Sequence, residues 1–320
     1  MHSKNKKYTV KSSRGFPAHW SVGAIIERAG KYLMIDRAFE PLGLAGVAGH
    51  VDEEADGSHE PLDVAIAREI KEETGLSVSA IHAIPSIYGV EVLWNHCRSA
   101  GSHTWWLFRA WVTDVSGGAG TGEPKFDAIE TKGGGWHTPD ELAAANLEPV
   151  WREWYERLGI IPRKPRVTIC GSMAFAAEMA EAATLLRGRG WEATAPALKA
   201  LGADGTVTSF TEVLRSRGFD AVPDDDPFWA AKRDAILEHF RWIDWCEVAL
   251  VWNQEKRGVP GYIGSNTMME IGWATGVGKK VVALNPLNHV VAGFEEAKAC
   301  LSGCLDGDLN GLEDALEKVG

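Results

Sequence analysis

The segment Gly159-Ile-Ile-Pro-Arg-Lys-Pro165 stands midway along a chain of 320 residues. Its two prolines lack the N–H that helix and sheet interiors require, so it reads as a short, stiff connector. It divides the chain near residue 163 into two stretches of about 160 residues, each the size of an ordinary domain. The stretches differ in pattern. The first has strand-like runs at 21–27, 31–36, 84–93 and 105–113 and one strong helix at 61–74, followed by a helical stretch from Asp140 to Leu158. The second alternates strands at 167–170, 248–252 and 280–284 with helices, as a parallel sheet requires. No internal repeat relates them, so two unlike α/β domains are expected, at 17–162 and 163–320, after a flexible N-terminus at 1–16.

Hydrophobic residues make up 45% of the chain and suffice for two cores. Its formal charge of −11 leaves no basic surplus to displace counterions, which excludes a nucleic-acid backbone as the main partner. Five irregularly spaced cysteines do not suit a secreted disulfide scaffold. No run approaches the roughly 18 apolar residues of a membrane span, and Met1 to Lys11 carries no apolar signal core. A cytoplasmic protein without membrane partners is expected. The fourteen tryptophans, spread over both halves, are read as core packing.

The segment Arg68-Glu-Ile-Lys-Glu-Glu-Thr-Gly-Leu76 carries the sharpest chemical signal. Pro61 in the first turn and Gly75 at the C-cap frame a helix on which Glu69, Glu72 and Glu73 stand at i, i+3 and i+4. Like charges at these spacings destabilise a bare helix, and a hard cation with oxygen ligands, Mg²⁺ or Mn²⁺, removes the conflict. The alternative is a solvated charged face. The segment resembles the core of the Nudix box, and Glu60, eight positions before Arg68, stands where that box has its earlier glutamate. The resemblance, over about 17–158, implies an α/β/α sandwich that hydrolyses a nucleoside diphosphate linked to another group. It places Glu69, Glu72 and Glu73 as metal ligands and Arg68 as the residue orienting them. Glu73 is chosen as general base, with Glu91 and Glu123 as alternatives. One departure stands out. Ten residues separate Gly49 from Glu60 where the family has five, and Ala48 replaces a usual glycine. Asn95-His-Cys97 with His103 lacks a fourth soft ligand and is read as structural or substrate-contacting rather than as a zinc site.

In the second half, the strand 248–252 leads through Asn253 to a glycine-rich loop, Gly258-Val-Pro-Gly-Tyr-Ile-Gly-Ser265, and then to a helix from about 266 to 276 with Glu270 in its first turn. Ligands of open α/β sheets bind at the carboxyl ends of strands, so a site belongs there. On position alone, Glu270 reads as a carboxylate favoured by a helix N-terminus. Ile169-Cys-Gly-Ser-Met173 together with Tyr262-Ile-Gly-Ser-Asn-Thr-Met-Met-Glu-Ile-Gly-Trp-Ala274 resembles the nucleoside 2-deoxyribosyltransferase superfamily, including its nucleotide N-glycosidase branch. That resemblance implies a flavodoxin-like domain, often completed by dimerisation. It makes Glu270 the nucleophile on the anomeric carbon and Gly171, Ser172 and Met173 a sugar or phosphate loop. His239 occupies the position of that branch's acid and is either an acid or phosphate contact or a structural histidine, with Asp244 and Glu247 competing. Asn253 is assigned to substrate, and Ser265 and Asn266 either hold a phosphate or cap the helix.

The expected protein is therefore a bifunctional enzyme of small nucleotides or nucleosides, homodimeric, with Mg²⁺ (or Mn²⁺) in its first domain. The alternatives are a Nudix hydrolase with a nucleotide-sensing second domain, and a non-enzymatic ligand-binding regulator.

Overall fold

The computed structural model describes residues 6–39, 41–97, 101–113, 123–126, 131–202 and 205–317. The chain forms two compact units, Met1–Arg163 and Lys164–Gly320.

The first unit contains β1 (Thr9–Lys11), β2 (Pro17–Arg28), β3 (Lys31–Arg37), β4 (Leu44–Ala45), β5 (Val47–His50), α1 (Leu62–Thr74), β6 (Ser77–Val92), β7 (Ser102–Thr113), β8 (Thr131–His137), α2 (Pro139–Ala144) and α3 (Pro149–Arg157). Its mixed sheet runs β4-β3-β2-β7-β6, with β1 and β5 on β2 and β8 on β3. β2 and β7 run parallel, and β5 lies antiparallel to β2, pairing Val22 with Gly49 and Ser21 with His50. A core is packed on each face. Ala65, Ile66 and Ile70 of α1 pack with Val22, Val47 and Phe108 on one side. Trp151, Trp154 and Tyr155 of α3 pack with Ile25, Met34 and Leu107 on the other. Fully burying a side chain the size of Ile66 or Ile70 contributes about 1.5–3 kcal/mol, enough to fix which face of α1 turns inward. The carboxylates on its other edge are thereby fixed as well.

Four expectations change here. The helical stretch 140–158 is two helices, because Pro149 disfavours helical backbone at Glu148, and Leu44 bonds to the Asn146 carbonyl at 2.8 Å and receives the Glu148 N–H at 2.9 Å. Within the stretch expected to be flexible, Thr9–Lys11 is a strand paired with Pro17–His19, while residues 1–5 lie outside the described residues. β6 begins at Ser77, seven residues before the apolar run that marked it, since its first half is mostly solvent-facing. The tryptophans expected in cores include Trp151 and Trp154, both buried, whereas Trp111 and Trp229 are exposed.

The second unit contains β9 (Arg166–Gly171), α4 (Ala176–Gly188), β10 (Glu192–Thr194), the hairpin β11 (Ala200–Leu201) and β12 (Val207–Thr208), α5 (Phe210–Arg217), α6 (Pro227–Trp245), β13 (Val248–Trp252), α7 (Ser265–Gly276), β14 (Lys280–Ala283), α8 (Phe294–Cys300), β15 (Gly303–Cys304) and α9 (Leu312–Glu317). The main sheet is parallel throughout, in the order β10-β9-β13-β14-β15. Counted within the sheet this is 2-1-3-4-5, the flavodoxin order, whose direction reverses between β9 and β13. Alternating side chains serve two cores: Val167, Ile169, Val248 and Leu250 pack with α4, while Cys170, Ala249 and Val251 pack with α6 and α7. Asp226 starts α6, its carboxylate accepting from the Phe228 N–H at 2.9 Å.

Candidate functional site

On α1 the Arg68 guanidinium has five N–H groups, and five acceptors surround them. Nε and Nη2 grip the two Glu60 oxygens at 3.1 and 2.9 Å; Nη1 reaches Glu69 at 2.7 Å and Glu72 at 3.4 Å; Nη2 also reaches the His50 carbonyl at 3.1 Å. These carboxylates raise the Arg68 pKa further, so its charge is permanent. The bidentate grip on Glu60 fixes the guanidinium plane, and that plane sets where Glu69 and Glu72 point. Glu73 is anchored separately, its Oε2 accepting from the Ala48 N–H of β5 at 3.2 Å.

Gly49 is required by close approach. A Cβ built there would stand 1.9 to 2.3 Å from the Glu69 carboxylate atoms, so any side chain would displace that group. Gly75 has a left-handed φ of 68° and donates to the Lys71 carbonyl at 3.0 Å, ending α1 one residue after Thr74.

The ten residues between Gly49 and Glu60 are absorbed without disturbing this arrangement. Glu53 pairs with His59, the Glu54 N–H donates to the Ser58 carbonyl at 2.8 Å, and the Glu60 N–H returns to the Asp52 carbonyl at 2.9 Å. The added residues thus form a small hairpin whose base delivers Glu60 to Arg68. Alternative bases lie elsewhere: Glu91 accepts from the Ser13 N–H at 2.7 Å, and Glu123 is exposed.

Glu60, Glu69, Glu72 and Asp52 face Arg68, Lys7 lies 3.0 Å from Asp52, and Glu73 follows Glu72 on α1. Five carboxylates against two cations leave an acidic excess, and burial pushes the Glu69 pKa up. An all-oxygen donor set of this charge fits a hard divalent cation, with Glu69, Glu72 and Glu73 as the residues that could hold it.

The NUDIX domain family profile matches residues 17–158, the segment that contains this arrangement. Residues 17–158 form a Nudix domain. Solved structures similar to it include a MutT NUDIX hydrolase from Burkholderia pseudomallei (25% identical, covering 44% of this chain and 98% of that one, TM-score 0.33). Others are a NUDIX hydrolase from Nitrosomonas europaea (23%, 44% and 88%, 0.30) and a C. elegans Ap4A hydrolase (15%, 45% and 92%, 0.31). No curated protein matches the chain. The family match stops short of the second unit.

In that unit, Gly171 ends β9 opposite Trp252 of β13, at the reversal point of the sheet. Ser172 follows, capping a turn that begins at Met173 and receiving the Lys256 ammonium on its Oγ at 2.7 Å. Glu270 of α7 is buried behind this loop, with His239 Nε2 of α6 at 3.6 Å from its Oε1. Cys170, His239 and Glu270 bring their polar atoms within 4.8 Å of one another. His239 Nε2 and Glu270 Oε2 are buried and have no hydrogen-bond partner among the described residues, a costly state unless a ligand or water serves them.

Glu270 lies in the second turn of α7, not the first, because the helix begins at Ser265. Gly264 caps the helix without a side chain, so Ser265 and Asn266 do not act as caps. Asn253 is fully buried and its amide bonds to the backbone of Asn285, at 2.7 and 2.8 Å, so it braces two strand ends rather than facing a ligand. Glu247 receives the Arg166 N–H at 3.1 Å at the opposite end of the sheet, and Asp244 receives the Trp273 indole at 3.1 Å. Neither competes with His239 for the acid position. Lys256 and Lys232 carry no motif that marks them in the sequence, although Lys256 follows a strand end, where a cation for an anionic ligand would be sought. A separate cleft of about 730 Å³, lined among others by Gln254, Gly261, Asn285 and His289, opens one strand further along. Glu270 and His239 do not line it. The reversal point, which marks the ligand crevice of such sheets, favours the site at Glu270.

Burial raises the Glu270 pKa to about 8, against a backbone hydrogen bond from Gly171 and the nearby Lys232 charge. Burial lowers that of His239 to about 4. At neutral pH both are uncharged. Because the folded value of Glu270 exceeds its unfolded one, the native state retains a proton that the unfolded chain releases; the associated stability is full below about pH 4.5 and is lost as pH rises to about 8. Wild type should therefore lose roughly 2 kcal/mol or more relative to Glu270→Gln between pH 5 and pH 8. Denaturant melts of both proteins at each pH check this, and parallel stability curves would refute it.

Proposed function

We propose that the chain is a two-site nucleotide-processing enzyme. Its Nudix domain hydrolyses a phosphoanhydride of a nucleoside di- or triphosphate derivative with Mg²⁺ or Mn²⁺, and its second unit, about 163–320, cleaves or transfers an N-glycosidic bond. The observation that carries the first activity is the Arg68 fan, which holds Glu60 and aims Glu69 and Glu72 beside Glu73. A divalent ion held by Glu69, Glu72 and Glu73 would neutralise phosphate charge and acidify the attacking water. The chain's own part is to hold these oxygens in place and, through Glu73, to accept the water proton. Gly49→Ala tests the placement: its methyl collides with a side-chain end that can move, so we expect a folded protein whose hydrolysis falls about 10²-fold. Thermal melting beside steady-state rates separates that outcome from unfolding.

For the second activity, the supporting observations are the flavodoxin strand order and, near its reversal point, the buried Glu270 Oε2 and His239 Nε2, which have no hydrogen-bond partner among the described residues. The Glu270 carboxylate would attack the anomeric carbon as the bond to the base breaks, and water or another base would resolve the ester. The proton leaving Glu270 has His239 Nε2 as a titratable acceptor 3.6 Å away, and the imidazolium so formed is the acid that the departing base needs. Ser172, Lys256 and the uncapped start of α7 could receive a phosphate.

A neutral Glu270 at pH 7 favours a second reading, in which this unit senses a nucleotide without cleaving it. Mass spectrometry of products from a mixed nucleotide pool decides between them. Free base, absent with Glu270→Ala, supports cleavage; intact nucleotide retained in a stable complex supports sensing.

A further inference from the structure

A second cluster of ligating groups lies in the Nudix unit around the central strand β2, next to the carboxylates but not among them. His19 comes from β2, His50 from the end of β5 and Cys97 from the segment after β6. His19 Nδ1 stands 3.2 Å from the Cys97 sulfur, the sulfur stands 3.4 Å from His50 Nε2, and one ligand atom from each residue lies within 4.8 Å of the other two. His19 and Cys97 are buried and His50 is half-buried. Proximity in sequence pairs Cys97 with His96 and His103, but His96 turns to the Gly101 carbonyl at 3.1 Å. His103 bonds Ser21 through Nδ1 at 2.7 Å while stacking on the His50 ring at 5.3 Å.

We propose that His19, His50 and Cys97 bind a zinc ion through two imidazole nitrogens and one thiolate, with water in the fourth position. Zn–S and Zn–N bonds of about 2.3 and 2.0–2.1 Å in a tetrahedron put sulfur and nitrogen about 3.6 Å apart, so the observed separations need to change by only a few tenths of an ångström. The donor set, one soft sulfur and two borderline nitrogens, is opposite in character to the oxygen set around Glu69 and would not compete for Mg²⁺. Binding releases the Cys97 thiol proton to solvent and leaves the imidazoles neutral. The ion would tie three chain segments together and fix His50, whose carbonyl accepts from Arg68 at 3.1 Å.

The test uses the full chain, stripped with a chelator and reloaded with zinc in excess Mg²⁺. One zinc per chain is expected, with X-ray absorption showing one sulfur neighbour. Cobalt should give a thiolate charge-transfer band and intense tetrahedral bands that Cys97→Ser abolishes and His19→Gln weakens, lowering affinity at least tenfold. Zinc bound with no sulfur neighbour in the wild-type protein, or no zinc retained, overturns the proposal without depending on how either variant folds.

Discussion

Glu73→Gln is expected to lower metal-dependent phosphoanhydride hydrolysis by about 10³-fold while leaving the fold intact, because the change removes one charge and no volume. The glutamine oxygen can still accept from the Ala48 N–H, now at 3.2 Å to the carboxylate, so the register of α1 against β5 survives. What disappears is a proton acceptor and one anionic ligand from an i, i+3, i+4 set. Loss of one like charge relieves repulsion along the helix, so the thermal midpoint should hold or rise slightly. Glu91→Gln and Glu123→Gln serve as contrasts: the first carboxylate is bonded to Ser13, and the second is exposed. Both should stay within threefold of wild type. The measurement is the initial rate of phosphate or pyrophosphate release over a nucleotide panel with Mg²⁺. A Glu73→Gln rate within threefold of wild type would remove Glu73 from the chemistry, and a large loss in Glu91→Gln would transfer the role.

Local grammar makes α1 legible from its own residues: Pro61, Gly75 and the apolar positions Ile66 and Ile70 specify a helix, its end and its buried face. The carboxylates follow from that face by geometry alone. Parallel strands buried on both sides are legible for the same reason, since β13 is a continuous apolar run and β9 is broken only by Thr168 after its opening arginine. Long-range features are not. The bracing role of Asn253 depends on Asn285, 32 positions later, and the meeting of His19, His50 and Cys97 depends on the pairing of β2 with β5. No short-range spacing encodes either. The hairpin at Glu53–His59 shows the converse case, in which an apparent break in a motif is local and leaves its ends in contact. His239 and Glu270, 31 positions apart, meet because α6 and α7 pack on the same face of the sheet, something only the strand order settles.

Base release by the second unit is expected to be insensitive to pH between about 4 and about 8 and to fall above 8. Glu270 and His239 hold one proton between them in this window, on the carboxyl in the resting protein. In the proposed cleavage, moving it to His239 would create the nucleophile and the acid together without exchange with solvent, so the reactive form would carry the same net proton count as the resting one. Titration near pH 8 removes that proton and with it the acid; titration near pH 4 adds a second and blocks the nucleophile. The two apparent values belong to the pair rather than to either residue. Glu270→Ala should abolish release, by on the order of 10⁴-fold. His239→Asn is the sharper probe, for it leaves the carboxyl without a proton acceptor: the rate should drop about 10²-fold and its profile should invert, rising as Glu270 ionises towards pH 8. A wild-type profile that already rises through pH 8 would mean that Glu270 acts as a lone carboxylate and that His239 is structural.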